Sequence, residues 1–256
     1  MKVALVTGGS SGIGKEIVLS LLKDGYNVAV TGRSMDRLLN AFKDQDIHYL
    51  HFIEADCMDI NKYQDIIYSI VERFGYLNLL VNNVGGGKFG ETIEKTTLEQ
   101  WNEMITLNLT SSYFMSKASI KCMVDGGVII NFSSILASRP VNGLGPYCIA
   151  KAGVEMMTKS LALELAPKNI RVLCIAPATI ETNFHTNAGM SHDGAEKYYK
   201  NAASTHPIGR IGQPSDISEL VIFLANNSKS GFMTGSVISV DGGRLLTSSA
   251  ARLSND

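Results

Sequence analysis

Short apolar runs rich in β-formers alternate with helix-length stretches along nearly the whole chain, and this alternation restricts the fold most. The runs are "KVALVTG" (2–8), "NVAVTG" (27–32), "HYLHFIEAD" (48–56), "LNLLVNN" (77–83), "GGVIINFSS" (126–134), "IRVLCIAP" (170–177) and "SVISVDGG" (236–243). Between them, apolar residues recur at helical spacing. Ile13, Ile17 and Leu21 do so in 12–26, and Ile60, Tyr63, Ile67, Ile70 and Phe74 in 59–75. Ser34 and Asp59 read as helix starts, Gly25 and Gly75 as stops. Further helices are expected over 34–46, about 98–124, 148–168 and 215–227, with some helix around Ala195–Ala203. Strand–helix–strand alternation implies an α/β fold: a doubly wound, mostly parallel sheet of about seven strands with helices on both faces.

No repeat, low-complexity tract or linker divides the chain, so residues 1–256 read as one domain. A composition of 45% hydrophobic and 18% charged residues, with mean hydropathy +0.08, suits a globular core. A net charge of −1 offers no basic field for nucleic acid or an anionic membrane. No run reaches the roughly 18 apolar residues of a membrane span. The run "VALV" stops at Thr7-Gly8-Gly9, too short for a signal segment, and reads as a strand. Cys57, Cys122, Cys148 and Cys174 form no C-x-x-C pair, which fits reduced thiols in the cytoplasm. His48 and His51, on a strand, point to opposite faces, so no metal site is expected there. Asn108 and Asn131 match glycosylation triplets, but in surroundings that look buried. The segment 180–206 is too long for an idle loop and reads as a substrate lid; the tail "LLTSSAARLSND" reads as loosely ordered.

"TGGSSGIG" (Thr7–Gly14) falls between the first strand and first helix, where a doubly wound sheet binds a dinucleotide. Glycines there allow the backbone close to a pyrophosphate, and the helix N-terminus offers free N–H groups. The second strand ends in "VTGRS", with Arg33 and no carboxylate. A guanidinium at that point suits the 2′-phosphate of NADP(H); an acid there would suit NAD(H), which stays the alternative. Asp56 is placed either to accept from an adenine amine or to cap a turn. Downstream, "PYCIAKAG" puts Tyr147 and Lys151 four residues apart, on one helix face.

Together these features resemble a classical short-chain dehydrogenase/reductase over about residues 2–244. The resemblance is carried by T-G-x-x-x-G-x-G at 7–14, N-N-x-G at 82–85, Asn108 in "LNLTSSYF", and Ser134, Tyr147 and Lys151 in "NFSSILASRPVNGLGPYCIAK". "IRVLCIAPATIET" and the segment from "PIGRIGQPSDI" to "VISVDGG" extend it. It implies a Rossmann-type, NADP(H)-dependent oxidoreductase that interconverts a ketone and a secondary alcohol. By the same resemblance Tyr147 is the general acid in reduction and base in oxidation. Lys151 lowers the phenol pKa and holds the nicotinamide ribose, Ser134 binds the substrate oxygen, and Asn108 holds a relay water. Implied cofactor contacts are Gly8, Ser10, Ser11, Gly12, Ile13, Gly14, Arg33, Asp56, Cys57, Asn83, Tyr147, Lys151, Ile180 and Thr182. A homotetramer or dimer is implied through 98–124 and 148–167.

Three positions depart from the family pattern. Val84 adds bulk beside the cofactor, Ala178 stands where glycine is usual and disfavours positive φ, and Ser11 replaces a basic residue common in NADP-linked members. The substrate reads as a 3-oxoacyl thioester, or alternatively a hydroxysteroid; Met190, Tyr198 and Tyr199 read as packing residues before pocket-lining ones. A non-catalytic nucleotide-binding regulator is the alternative of another class, and intact Asn108, Ser134, Tyr147 and Lys151 weigh against it.

Overall fold

Val3–Val6 is buried at every position and forms β1. Around it lie β2 (Asn27–Gly32), β3 (Leu50–Glu54), β4 (Leu77–Asn82), β5 (Met123–Phe132), β6 (Arg171–Pro177) and β7 (Val237–Val240). The computed structural model describes residues 1–88 and 92–247. All seven strands pair in parallel in the order β3-β2-β1-β4-β5-β6-β7. The chain builds outward from β1 to β3, then returns to place β4 against β1. The crevice between the carboxyl ends of β1 and β4 is therefore the switch point, where such sheets bind ligands.

Alternate residues of β1 face two cores. Ala4 and Val6 join Ile17 and Leu21 of α1 (Gly12–Lys23), Leu38 of α2 (Met35–Ala41), and Ile217 and Val221 of α9 (Pro214–Ala225). Val3 and Leu5 join Tyr63, Ile67 and Ile70 of α3 (Tyr63–Phe74), Met115 of α5 (Ser111–Ser119), and Val154 and Leu161 of α6 (Gly145–Leu165). Asn108 and Asn131 are wholly buried. α4 (Leu98–Ile105) opens with a capping box between Thr97 and Gln100.

Several boundaries differ from the sequence expectation. His48 lies in a 3-10 turn, Ile47–Tyr49, because Asp46 Oδ1 accepts from its N–H at 2.9 Å; the strand begins only at Leu50. Asp59 caps a similar turn, Ile60–Lys62, so α3 starts at Tyr63 and Ile60 is left exposed. α2 stops at Ala41, well short of 46. The helix expected to run to 124 ends at Ser119, and Met123 and Val124 already belong to β5. There Leu77 pairs with Met123 and Leu79 with Val128, a register shift passing through Gly126 at φ +77°. The 180–206 segment holds α7 (Phe184–Asn187) and α8 (His192–Ala203). α10 (Asn227–Ser230) precedes β7. The tail from residue 248 and residues 89–91 of "NNVGGGKFGE" lie outside the described residues. No helix among those described is long and apolar enough to cross a membrane.

Candidate active site

The first-turn N–H groups of α1 have no helical partners of their own. Ser11 holds the N-cap position in extended backbone, its side chain makes no capping bond, and the first turn carries no acid. An anion is the natural complement to such an end. Gly8 and Gly12 take φ +64° and +54°. Gly14 is fixed by space: a Cβ would sit 2.5 Å from both Asn83 Nδ2 and Gly8 O. Asn83 Nδ2 donates to Thr7 O at 2.9 Å and Gly8 O at 3.1 Å, tying the ends of β1 and β4 together.

Arg33 and Asp56 are exposed just beyond β2 and β3. Arg33 forms no ion pair within 4.0 Å among the described residues. Asp56 Oδ1 accepts from Met58 N at 2.9 Å, so its turn-capping role is realised. Cys57 points inward: its thiol lies 3.7 Å from Thr31 Oγ1, and its carbonyl accepts from the Tyr63 hydroxyl. Thr182, beyond β6, packs over Gly12. Ala178 avoids the strain its Cβ threatened. Asn169 is the one non-glycine with positive φ among the described residues, and Ala178 N donates to Val240 O at 3.0 Å.

At the carboxyl ends of β4–β6 a cavity of about 360 Å³ opens toward the 180–206 segment. Asn83, Ser134, Tyr147, Lys151, Ile180 and Thr182 all line it, with Ile13. Pro146 lies in the first turn of α6, and the helix starts earlier than the apolar pattern indicated. Tyr147 therefore stands in that first turn, one turn before Lys151. Ser134 Oγ accepts from Leu136 N at 3.2 Å and caps the turn Ile135–Ala137. Lys151 Nζ donates to Phe132 O at 2.8 Å and lies 5.7 Å from the Tyr147 ring centroid. Ser133 Oγ, 3.0 Å from both Lys151 O and Glu155 Oε1, pins α6 to the end of β5.

Burial controls the titration of this pair. It pushes the Tyr147 phenol up to about 12, against a hydrogen bond from Ser134 that pulls it back; the Cys148 thiol adds a small upward push. Burial also draws Lys151 down to about 8, opposed by Cys174. With Nζ bonded to Phe132 O, removal of phenolate from water dominates. At neutral pH Tyr147 is a neutral proton donor beside a protonated lysine.

Asn108 is buried behind this pair in a π-helical turn, Thr106–Thr110, joining α4 to α5. Its Nδ2 donates to Gly86 O (2.9 Å) and Met104 O (3.0 Å), and its Oδ1 accepts from Gly86 N at 3.0 Å. A Cβ on Gly85 would meet Asn108 Oδ1 and Lys151 Nζ, each at 2.9 Å, so glycine lets the three approach. The sequence pattern gave no hint of the π-turn.

The lining residues that the sequence did not point to include Leu144, Phe184, Arg139 and Arg244. The Phe184 ring lies 6.1 Å from that of Tyr147, centroid to centroid and tilted by 57°, and bounds the cavity on the 180–206 side. Tyr198, read as packing, also lines the cavity, with its ring centroid 4.2 Å from His185. Tyr199 OH donates to Thr182 O at 2.5 Å, anchoring α8 to the segment after β6.

A family model described as enoyl-(acyl carrier protein) reductase matches residues 8–244. The 3-oxoacyl-(acyl-carrier-protein) reductase FabG of Chlamydia muridarum is 35% identical over 248 residues, 94% of this chain and 96% of that one. A short-chain dehydrogenase/reductase of Caenorhabditis elegans, solved with cofactor, superposes with a TM-score of 0.90 at 31% identity, covering 96% of each chain. ElxO with NADP bound superposes with a TM-score of 0.87 at 33% identity, covering 96% of this chain and 99% of that one.

Proposed function

The chain belongs to the short-chain dehydrogenase/reductase family, oxidoreductases acting between CH–OH and C=O groups, and from that premise we propose that it uses NADP(H) on a small ketone or the matching secondary alcohol. The observation that carries this reading is the convergence of Ser134, Tyr147 and Lys151 on one cavity reached from the glycine loop. The uncapped, acid-free N-terminus of α1 fits the cofactor pyrophosphate. Arg33, beyond β2, fits the 2′-phosphate. The bound nicotinamide supplies or accepts the hydride.

The chain's own residues position the carbonyl and move the proton. Ser134 hydrogen-bonds the substrate oxygen. Tyr147, kept neutral by burial, donates its proton to that oxygen in reduction and recovers it in oxidation. Lys151 steadies the phenolate left behind and reaches the ribose hydroxyls. Asn108, fixed by Gly86 and Met104, stands where a relay water behind Lys151 would connect. The single domain closes over the site with 180–206 as its lid, and Phe184 is the lid side chain that meets Tyr147.

A cavity of about 360 Å³ is near the lower end of the roughly 300–1,000 Å³ typical of ligand sites, and it must also admit the nicotinamide. That favours a compact substrate over a steroid. Ile149, Met156 and Leu163 recur every seven residues on α6 and are 51%, 64% and 79% exposed, with Tyr113 of α5 also exposed. Such a stripe supports a homodimer across α5 and α6, within a tetramer. Sedimentation as a monomer at micromolar concentration would contradict it. Tyr147→Phe should lower turnover by about 10²–10⁴-fold while NADPH binding persists. Near wild-type turnover in that variant would refute the proton-donor role.

A further inference from the structure

Arg139 and Arg244 line the cavity with Ser134 and Tyr147, and nothing in the reaction above uses them. Arg139 follows the turn behind Ser134; Arg244 opens the turn Arg244–Leu246 after β7. Both are half-buried. Among the described residues no carboxylate lies within 4.0 Å of either guanidinium. Asp241, three residues before Arg244, spends Oδ1 on Gly243 N (3.0 Å) and Oδ2 on Leu245 N (2.8 Å). Arg139 Nη1 donates to Arg244 O at 2.9 Å and Thr247 O at 2.8 Å, fastening the turn that carries Arg244. Among the described residues the Arg244 guanidinium makes one long bond, Nη1 to Thr247 Oγ1 at 3.4 Å.

Two like charges share a partly desolvated wall with no counter-charge among the described residues, an arrangement that an incoming anion would relieve. Burial and then the neighbouring Arg139 push the Arg244 pKa down, and Tyr198 opposes them in part. The cofactor's phosphates are not that anion. The glycine loop follows β1 and Arg244 follows β7, four strands away in the sheet. At about 4.8 Å per strand that is roughly 19 Å.

We propose that the cavity selects substrates bearing a carboxylate, which Arg244 grips and Arg139 supports while the reacting carbonyl meets Tyr147. The substrate class is then small oxo acids and the corresponding hydroxy acids. This rests on the oxidoreductase reading above. A free carboxylate and the phosphate of a coenzyme A thioester share the relevant charge, but the small cavity favours the carboxylate.

The test compares linear oxo acids of increasing chain length with their methyl esters and coenzyme A thioesters, using NADPH and both wild type and Arg244→Gln. For at least one chain length, wild-type kcat/KM for the acid should exceed that for its ester by about 10- to 100-fold, the worth of one or two charge-assisted hydrogen bonds. Arg244→Gln should collapse that ratio, and Arg244→Lys should restore part of it. A merely structural arginine would lower acid and ester together and leave the ratio intact. Esters reduced as well as acids, or an unchanged ratio in Arg244→Gln, overturn the proposal and leave the oxidoreductase reading standing. A thioester that outruns the free acid, and loses that lead in Arg244→Gln, overturns the oxo-acid assignment. No turnover of any carbonyl defeats both readings.

Discussion

Raising the pH from 7 to 10 should stabilise the wild-type protein relative to a Lys151→Met variant. Lys151 is buried, with Phe132 O as its hydrogen-bond acceptor, and its pKa falls from the usual 10.5 to about 8. At pH 7 the lysine is protonated in both the folded and unfolded chain, so folding bears the whole cost of burying the ammonium. That cost is roughly 3 kcal/mol at about 1.4 kcal/mol per pKa unit. Between about 8 and 10.5 the unfolded chain holds the proton and the folded protein does not. The unfolded state then binds more protons, so unfolding free energy rises with pH. From pH 7 to 10 the gain over the variant should be about 2–3 kcal/mol. Tyr147 and Cys174, pushed up to about 12, stay neutral through this window. Groups elsewhere titrate equally in both proteins and cancel in the difference. Urea denaturation at pH 7, 8, 9 and 10 reads the effect, while turnover at pH 7 should be lost in the variant. Parallel stability curves would show that burial does not depress Lys151, and a steeper alkaline loss in wild type would reverse the sign.

Gly14→Ala should displace the Asn83 amide that joins β1 to β4. Two hydrogen bonds of about 1 kcal/mol and overpacking of about 1–3 kcal/mol, less about 1 kcal/mol of helix propensity, leave a cost of about 3 kcal/mol. At about 2–4 °C per kcal/mol that lowers Tm by about 6–12 °C, whereas Gly25→Ala, at φ +81° with nothing near its Cβ, should cost about 1 kcal/mol. Equal melting of Gly14→Ala and wild type by calorimetry would refute this. Arg33→Ala should weaken NADPH binding by about 10- to 100-fold with little change for NADH, read by fluorescence titration; equal preference in both proteins would remove its role.

What the sequence determined on its own is what local periodicity encodes. Helix and strand signals arise between residues two to four apart, so β1, the glycine turn, α1 and the Tyr147–Lys151 face were all legible. Boundaries set by distant partners were not. β5 begins at Met123 because Leu77, 46 residues earlier, pairs there. The π-turn placing Asn108 also has no local signature, since it depends on Gly86 and Met104 holding the amide.

Tertiary structure alone decided the electrostatics and the cavity wall. A tyrosine four residues before a lysine does not reveal that both are buried, and burial is what holds the phenol at about 12 and the ammonium near 8. Arg139 and Arg244 are 105 residues apart in the chain. They meet because β5, β6 and β7 lie side by side and end at the same edge. Hydrophobic period is a property of neighbours along the chain; desolvation and charge proximity are properties of neighbours in space.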